Sequence, residues 1–525
     1  MTKHKTLQLF SAAFPLCLLV LLVLVMPGLA QRSVGKAGKP NAVDTWTSGP
    51  NLPTPLVRAV GVYFPTTGHG YLFAMGGRSS DSPGSDSTNP FKYDIGNRTW
   101  TTMSATYPDA QVNNMACGLL TVGTTTQIYC VGGSQAGQTS ATARVFNFNP
   151  TSDSITTMAA ADNWPGNASG TIVPGGFAVA GNKLYIIGGF NINTGMTHQT
   201  WQFDPNAAAG SRWTQKADYP MDRGYIPATA IGNVIYTGGG SLWDGTTLHD
   251  TTDSFRYDTT TDTWTTIASI PRATGETRAV NFYGQMWVLG GGRDAPNPSN
   301  EVNIYDPNCN AWTVGTPFVT PRRNFPADFD SCFVNLAGGY VNGVADNTME
   351  IYNLPMATSA FSRKVHGGAG TFDVPLPLYG PIGIECRSGG TTNDYQIIIN
   401  FESSVTLGGA TVTCGTGSVS SFSGSGTSQV TVNLTGVTNA QRITVMLNNV
   451  SYNPGSGDIP ISMGVLVGDT NGNALVNASD ISQTKSQVGQ PVTGSNFRED
   501  VNANGLINAS DVALVKSNSG TALPP

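Results

Sequence analysis

The chain has 525 residues, enough for several domains with cores of their own. Only 11% of the residues are charged and the formal net charge is -6, which excludes the basic surface expected of a nucleic-acid-binding protein. Glycine is abundant at 63 residues, and frequent Ser, Thr and Asn favour strands and turns over helices.

The first thirty residues have the pattern of a secretory signal. Basic residues at 3–5 precede an apolar run to about residue 26, and Gly28 and Ala30 supply the small residues of a cleavage site. An uncleaved membrane anchor is the alternative, because the run is close to the length of a membrane span. We expect residues 1–30 to be cleaved. The mature protein would then have no membrane span and would be secreted or held at a bacterial cell surface.

Six cysteines remain once Cys17 leaves with the signal, and an even number in an exported chain favours disulfides. Six cysteines allow fifteen pairings, so the pattern alone does not decide among them. The simplest prediction pairs near neighbours: Cys117–Cys130, Cys309–Cys332 and Cys386–Cys414. Buried free thiols are the alternative.

Six apolar runs, each ending in a glycine pair, recur along the chain. They are YLFAMGG, IYCVGG, LYIIGG, VIYTGGG, MWVLGGG and FVNLAGG, at residues 71–77, 128–133, 184–189, 234–240, 286–292 and 333–339. A polar loop follows each run, then an aromatic strand such as FKYD or FRYD. Most copies then have a Trp: Trp100, Trp213, Trp264 and Trp312. A period of about fifty residues indicates a repeat architecture, with four short strands in each copy.

These motifs resemble the kelch family over residues 44–353, and the resemblance implies a six-bladed β-propeller. Trp46 lies in DTWTSGPNLP, before the first copy, and supplies the Trp that the sixth copy lacks. We therefore expect the N-terminal strand to complete the last blade and close the ring. A seventh, degenerate blade is the alternative, although no residues can be assigned to it.

Two sets of long loops are expected to share one face, the mouth of the propeller, because strands in a blade alternate in direction. These loops contain arginines and aromatic residues. We predict that the ligand-binding residues of the mouth are Arg58, Arg78, Arg223, Tyr225, Trp243, Arg278, Arg322 and Arg323, with His249 beside them. Such residues would bind a glycan or a protein, since guanidinium groups are directed donors and aromatic planes stack on sugars. Alternatively, these arginines only brace neighbouring blades.

An enzyme acting on carbohydrate at the mouth is the alternative function. Sialic-acid mutarotases also use an exported kelch propeller, and Glu276 and Arg278 offer an acid and a cation in one loop. A copper site like that of galactose oxidase is not expected, because its Tyr-His pair is missing. The mature chain has only four histidines: His69, His198, His249 and His366. We predict no catalytic residue.

Residues 354–462 differ in composition from the repeats. Runs such as YQIIINFE, SQVTVNLTG and QRITVMLNNV alternate apolar and polar residues between Gly, Ser and Thr. This spacing predicts an immunoglobulin-like β-sandwich that serves as a spacer or adhesion module. His366, in KVHGGAG, is expected to be a loop residue rather than a ligand.

Two copies of an Asp/Asn ladder end the chain. A twelve-residue calcium loop supplies oxygen ligands from positions 1, 3, 5, 7, 9 and 12, the seventh through a backbone carbonyl. The first copy has Asp469, Asn471, Asn473, Leu475, Asn477 and Asp480 at these positions, and the second has Asp500, Asn502, Asn504, Leu506, Asn508 and Asp511. Gly505 suits the sharp turn at position 6, whereas Ala474 at that position predicts a strained or weaker first loop.

Paired loops with Asp at position 12, each followed by one helix, resemble dockerin type I domains, and we assign residues 463–525 to such a domain. The resemblance implies two Ca²⁺ ions, calcium-dependent folding, and docking to a cohesin-like module or another cell-surface protein. In that family positions 10 and 11 help choose the partner. Here they are Ala478-Ser479 and Ala509-Ser510, similar enough to allow two docking orientations. The alternative is a C-terminal segment that calcium stabilises but that has no cohesin partner.

The sequence therefore predicts a mainly β, exported protein with a small α-helical tail. The leading function is non-catalytic binding, in which the propeller binds a glycan or protein and the tail anchors it to a partner. A purely structural surface protein is a third interpretation.

Overall fold

The computed structural model describes residues 46–67, 70–330, 333–353, 357–452 and 455–524. The predicted signal lies outside them, as do Cys17, His69 and Cys332. The described chain is mainly β, with two α-helices near its end, as predicted. Among these residues, no helix is both long enough and apolar enough to cross a membrane.

Strand β1 covers Trp46–Gly49, and five four-stranded antiparallel sheets follow it as blades one to five. Blade one contains β2–β5, at Val60–Phe64, Tyr71–Met75, Phe91–Asp94 and Thr99–Thr102. Blade two contains β6–β9, at Ala116–Val122, Thr125–Val131, Val145–Asn149 and Ser154–Thr157. Short 3-10 helices at Ala160–Asp162 and Pro165–Asn167 lead to blade three, which contains β10–β13, at Ile172–Ala180, Lys183–Asn191, Gly195–Phe203 and Trp213–Lys216.

Blades four and six each carry an extra hairpin, and blade five lies between them. Blade four contains β14, β15, β18 and β19, at Ala228–Ile231, Val234–Gly238, Ser254–Asp258 and Thr263–Thr266, with the hairpin β16–β17 at Ser241–Trp243 and Leu248–Asp250. Blade five contains β20–β23, at Arg278–Phe282, Gln285–Gly291, Ser299–Asp306 and Ala311–Gly315. Blade six contains β24, β25 and β28, at Ala327–Phe329, Phe333–Ala337 and Met349–Asn353, with the hairpin β26–β27 at Tyr340–Val341 and Val344–Ala345.

The glycine pairs end the second strand of each blade where a neighbouring segment comes close. Gly76 and Gly77 have φ of 68° and 85°, which L side chains rarely adopt. A Cβ on Gly76 would also clash with the carbonyl oxygen of Val112, at the start of the next blade. The repeated glycines are therefore required by backbone conformation and by close packing between blades.

The N-terminal strand closes the ring as predicted. Strand β1 pairs antiparallel with β28, which places Trp46 opposite Tyr352 in blade six. The Trp46 ring is buried, lies 5.1 Å from the Tyr352 ring, and donates its Nε1–H to the carbonyl of Thr316 at 2.9 Å. The inner strands β2, β6, β10, β14, β20 and β24 contact one another in that order, and β24 contacts β2. The six sheets remain separate, so the ring closes by packing.

A two-sheet β-sandwich follows the propeller. Its strands β29–β37 cover Ala357–His366, Gly370–Pro375, Ile384–Glu385, Tyr395–Val405, Gly409–Cys414, Ser418–Ser423, Thr427–Thr435, Gln441–Tyr452 and Gly455–Val465. One sheet has the order β30-β29-β32-β35-β34 and the other β31-β37-β36-β33. Apolar residues such as Ile397, Val432 and Met463 fill the core between them, and this core continues into blades five and six.

The sandwich joins the side of the propeller that carries the turns between first and second strands. Tyr379 stacks on Tyr283 of the β20–β21 turn with ring centroids 5.1 Å apart. Asn308, from the β22–β23 turn, donates to the Ser462 hydroxyl at 3.0 Å. The loops predicted to form the mouth lie at the other ends of these strands. The sandwich therefore leaves the mouth uncovered.

The disulfides differ from the near-neighbour prediction. Cys117 and Cys130 form the predicted pair across β6 and β7. The other two predicted pairs are wrong, because Cys309 of blade five is bonded to Cys414 of the sandwich and Cys386 is a buried free thiol. Cys309 and Cys414 are 105 residues apart in sequence and meet only because the two domains pack together.

The tail contains two helices, α1 at Ala478–Ser486 and α2 at Ala509–Ser517. Each begins at an Asn N-cap whose side chain accepts a backbone N–H, with an Asp three residues later that completes a capping box. The apolar core of the tail is shared with the sandwich, since Val476, Val501 and Val515 pack with Ile384.

Candidate functional site

Five residues lie around the mouth of the propeller, each just before the inner strand of its blade. They share left-handed backbone, with φ between 51° and 60°: Arg58, Asn114, Tyr225, Glu276 and Asn324. The N–H of Arg58 donates to the carbonyl of Asn324 at 2.7 Å, and the N–H of Asn324 donates to that of Glu276 at 2.6 Å. Similar bonds join Asn114 to Arg58 and Glu276 to Tyr225. We call these five residues the collar.

The collar stores backbone strain. A non-glycine residue in this conformation costs about 1–3 kcal/mol, and such residues cluster at binding and catalytic sites. Five of them at equivalent positions in five blades bring chemically different side chains to the propeller axis. The collar therefore marks the mouth as the candidate site.

A cavity of about 510 Å³ opens above the collar. Its lining includes three arginines, Arg58, Arg78 and Arg293, and three aromatic residues, Phe190, Tyr225 and Trp243. The Phe190 ring lies 5.5 Å from that of Tyr225 and 5.8 Å from that of Trp243. Among the described residues, no Asp or Glu lines this cavity.

Neighbouring charges stabilise the protonated form of Arg58. Burial lowers the pKa of Arg58, but the nearby Tyr225 and Glu276 outweigh burial and raise this pKa. The buried Nε atoms of Arg58 and Arg78 have no hydrogen-bond partner. These two Nε atoms are themselves buried, and Arg78 also pairs with the exposed Asp81, which does not line the cavity.

Glu276 is a buried carboxylate that pairs with arginines beside the cavity. Its side chain is fully buried and pairs with Arg293 at 2.8 Å and with Arg323. Burial raises the pKa of Glu276, but the guanidinium groups of Arg293, Arg323 and Arg58 outweigh burial and lower this pKa. Glu276 is therefore an ionised brace for the arginines.

The structure places four of the eight predicted mouth residues on the cavity: Arg58, Arg78, Tyr225 and Trp243. Arg323 lies behind them, with its guanidinium 4.6 Å from the ring of Tyr340. His249 lies near the rim, where it pairs with Asp244 at 2.8 Å.

The other three predicted arginines do not line the cavity. Arg223 pairs with Asp253 at 2.5 Å, and Arg322 is fully buried against Glu350 at 2.8 Å. Both hold loops within the propeller, as the bracing alternative expects. Arg278 lines the central channel below the collar, where burial lowers its pKa to about 10.

Sequence reasoning missed Arg293 and Phe190. Arg293 follows the glycine run of blade five directly, just as Arg78 follows the glycine pair of blade one. The two positions are not equivalent in the repeat, because the N–H of Arg78 donates to Val57 as that of Gly292 does to Gly275, which places Arg293 one residue further along its loop. Phe190 also follows its glycine pair directly, in blade three.

A second candidate site is formed by the two Asp/Asn loops of the tail. In the first, the Asp469 carboxylate accepts the backbone N–H groups of Gly472, Asn473 and Ala474 at 2.9–3.0 Å. In the second, Asp500 accepts those of Asn504 and Gly505 at 3.1 and 2.8 Å. The Asp at position 12 of each loop accepts the N–H groups of positions 3 and 9. Both loops therefore curl around the side-chain oxygens of positions 1 and 12.

These loops fit a cation. Asp469, Asp480, Asp500 and Asp511 have no exposed surface, so each loop buries two carboxylates. Burial and the neighbouring Asp480 raise the pKa of Asp469, and burial and Asp500 raise that of Asp511. Leu475 and Leu506, at position 7, are exposed, which leaves only their carbonyls for an ion. Clustered oxygens with unbalanced negative charge suit calcium.

The two loops contain the same number of residues with left-handed backbone. Each uses left-handed backbone at positions 4 and 6, occupied by Gly472 and Ala474 in the first loop and by Ala503 and Gly505 in the second. The weakness expected of the first loop from Ala474 is therefore matched by Ala503 in the second.

Comparison with known proteins finds two family matches. The model of the KLHDC2/KLHL20/DRC7 Kelch-repeats domain matches residues 116–339, and that of the Dockerin type I domain matches residues 467–518. Dockerin type I domains generally bind calcium and are typical of extracellular proteins. Both predicted resemblances are thereby confirmed.

Relatives and solved structures resemble only part of the chain. Kelch-like protein 36 of Rattus norvegicus is 23% identical over 252 residues, 47% of this chain and 38% of the relative. Kelch-like protein 25 of Xenopus tropicalis is 25% identical over 28% of this chain and 25% of the relative. Beta-scruin of Limulus polyphemus is 28% identical over 27% of this chain and 16% of its own length. The chain thus spans well under half of these relatives.

The solved structure titled "Structure of YjhT" has a TM-score of 0.44 and 16% identity, over 57% of this chain and 95% of that chain. The family matches and the geometry together establish that the chain carries a kelch-repeat domain followed by a dockerin type I domain.

Proposed function

We propose that this is an exported, non-catalytic binding protein. The mouth of its propeller binds a carboxylate-bearing glycan, and its tail binds two calcium ions and docks to a cohesin-like module. The observation that carries the first part is that Arg58, Arg78 and Arg293 line the cavity, whereas no Asp or Glu among the described residues does.

The chemistry of the lining residues supports an acidic sugar. Guanidinium groups recognise carboxylates through paired charge-assisted hydrogen bonds. The aromatic side chains of Phe190, Tyr225 and Trp243 offer flat apolar surface to the face of a sugar ring. The sandwich leaves the mouth open, so a glycan chain can extend away from the protein.

Binding is favoured over catalysis because, among the described residues, no carboxylate lines the cavity. A general acid or base works best with a pKa near the working pH. Glu276 is ionised, enclosed and paired with two arginines. Arg278, its proposed partner in an acid–base pair, lies in the channel on the other side of the collar.

Calorimetry with the full chain tests the mouth. We expect binding of di- and trigalacturonate and much weaker binding of the matching neutral galactosides. R78Q and R293Q should each lower affinity about tenfold or more, since a hydrogen bond to a charged group contributes about 1.5–3 kcal/mol. R98Q is the control, because Arg98 is exposed in the β4–β5 turn at the opposite side. Equal binding of acidic and neutral sugars, or no effect of either variant, would contradict the proposal.

The same samples test the enzymatic alternative. Proton NMR of each saccharide with the full chain should show no bond cleavage and no change in the rate of anomer exchange. If the unsubstituted chain turned over a saccharide and R293Q did not, the result would instead favour an enzyme with its site at this mouth.

The tail supports docking through exposed, nearly symmetric surfaces. Ala478, Ser479, Ala509 and Ser510 are all exposed, at equivalent places in the two loop–helix units. We expect the full chain to bind type I cohesin modules in calcium and to lose that binding in EDTA. Replacing both members of one pair by Arg should leave affinity nearly unchanged, whereas replacing both pairs should abolish it. If replacing a single pair already abolished cohesin binding, the tail would dock in one orientation only.

A further inference from the structure

The second calcium loop is covered by a turn of the sandwich. His366 has no exposed surface, and its Nδ1 lies 2.8 Å from Oδ2 of Asp500, position 1 of that loop. A Cβ on Gly367 would clash with the carbonyl oxygen of Asn504, and one on Gly505 would lie 2.7 Å from the carbonyl oxygen of His366. The two backbones therefore touch, and neither glycine can be enlarged without separating them.

The neighbouring arginine determines where the proton of His366 lies. Nη1 of Arg387 is 3.0 Å from Nε2 of His366. A guanidinium has donors only, so Nε2 must be the acceptor and the ring must carry its proton on Nδ1. Nδ1 therefore donates to the Asp500 carboxylate. Arg387 cannot swing away, because it also holds Glu385 at 2.7 and 2.8 Å and the Ser362 carbonyl at 2.9 Å.

Aromatic stacking holds the same two segments together. Phe497, three residues before Asp500, stacks on Phe372 of the sandwich with centroids 5.4 Å apart and planes 5° apart. The Arg387 guanidinium lies 5.3 Å from the Phe497 ring. The orientation of His366 toward Asp500 is thus set by a packed interface.

The first loop has no such donor. The hydrogen bonds of the Asp469 carboxylate within the described residues come from the backbone of its own loop. Arg498 donates to the backbone carbonyls of Asp469 and Thr470 in that loop, at 2.9 and 2.8 Å. These bonds do not involve the Asp469 carboxylate. The two loops are alike in sequence but differ in what lies outside them.

We infer that His366 is a positioning residue for the second calcium site, supplied by the sandwich across the domain boundary. A hydrogen bond from outside the ligand set fixes the orientation of a coordinating carboxylate and raises metal affinity, and its loss typically costs about 10- to 100-fold. The second site is therefore complete only when the sandwich packs on the tail. Calcium in that site in turn holds the sandwich and the tail together. This inference rests on the proposed calcium binding.

The test separates the two sites within the full chain. D480A removes a ligand of the first loop and leaves the second, whereas D511A does the reverse. Calcium is titrated by calorimetry into each variant, alone and combined with H366A or H366N. We expect H366A to weaken binding about 10- to 100-fold in the D480A chain and to leave the D511A chain unchanged. H366N should recover most of the affinity, because its amide can donate near the position of Nδ1.

Each outcome is decisive. Unchanged affinity of D480A with H366A overturns the positioning role, as does an equal loss in both backgrounds, which would report a general folding defect. Failure of H366N to recover affinity also counts against it. Titration of the unsubstituted chain tests the proposed calcium binding separately from the role of His366. If that chain binds no calcium, the proposed calcium binding itself is wrong.

Discussion

Replacing Ala474 or Ala503 by Gly should strengthen calcium binding by the loop that contains it. Both alanines have left-handed backbone, with φ of 67° and 56°. The partner position in each loop is a glycine, Gly472 or Gly505, so each loop contains one strained and one relaxed residue.

The expected gain follows from two opposing costs. Left-handed backbone costs an L-residue about 1–2 kcal/mol. Glycine avoids this cost but loses more freedom on folding, by roughly 0.5–1 kcal/mol relative to alanine. The net gain is about 0.5–1 kcal/mol, and when loop folding is coupled to metal binding this lowers Kd about two- to fivefold.

Calorimetric calcium titration of the full chain measures the change in each loop. A474G is measured in the D511A background and A503G in the D480A background. The converse substitutions are matched controls. A Cβ on Gly472 would meet only Nη2 of Arg498, at 3.6 Å, so G472A adds backbone strain alone. G505A adds the same strain and a clash with the His366 carbonyl, so it should weaken binding more than G472A.

The reasoning would be refuted if A474G and A503G weakened binding or left it unchanged while G472A was harmless. That pattern would mean that calcium binds with a different backbone conformation in these loops.

Two further predictions concern the propeller. W46A should lower the free energy of unfolding of the full chain by about 3–5 kcal/mol, the usual cost of truncating a buried Trp, because β1 would lose its packing on Tyr352 and blade six would open. Guanidinium denaturation measures this, and an unchanged midpoint would contradict closure by β1. Burial raises the pKa of Asp328, in the central channel, to about 6. The folded state then holds this proton more tightly than the unfolded state, so the contribution of Asp328 to stability is fully present below about pH 4 and is lost between pH 4 and 6, by at most about 3 kcal/mol. D328N should flatten this part of the stability profile, and an identical profile in the variant would disprove the assignment.

The sequence determined the features that a short segment specifies by itself. The glycine pairs, the aromatic strands and the unpaired Trp46 predicted six blades and their closure, because each constrains backbone conformation or packing at a regular spacing. The Asp/Asn ladders predicted the two loops for the same reason, since every position of a twelve-residue loop lies close to every other.

The mouth was only partly predictable. The repeat indicated which loops share a face, but it did not show that Arg322 turns inward to Glu350 while Arg293 turns toward the cavity. Side-chain direction within a loop depends on which neighbour can satisfy the guanidinium, and that neighbour comes from another strand or blade.

Partners between domains were decided by the tertiary structure alone. Cys309 bonds Cys414 across 105 residues, and His366 meets Asp500 across 134. Neither pair has a local signal, because nothing in the backbone near either residue requires the other. Such contacts follow from how two folded domains pack. For this reason His366, expected to be an ordinary loop residue, lies against a predicted calcium ligand.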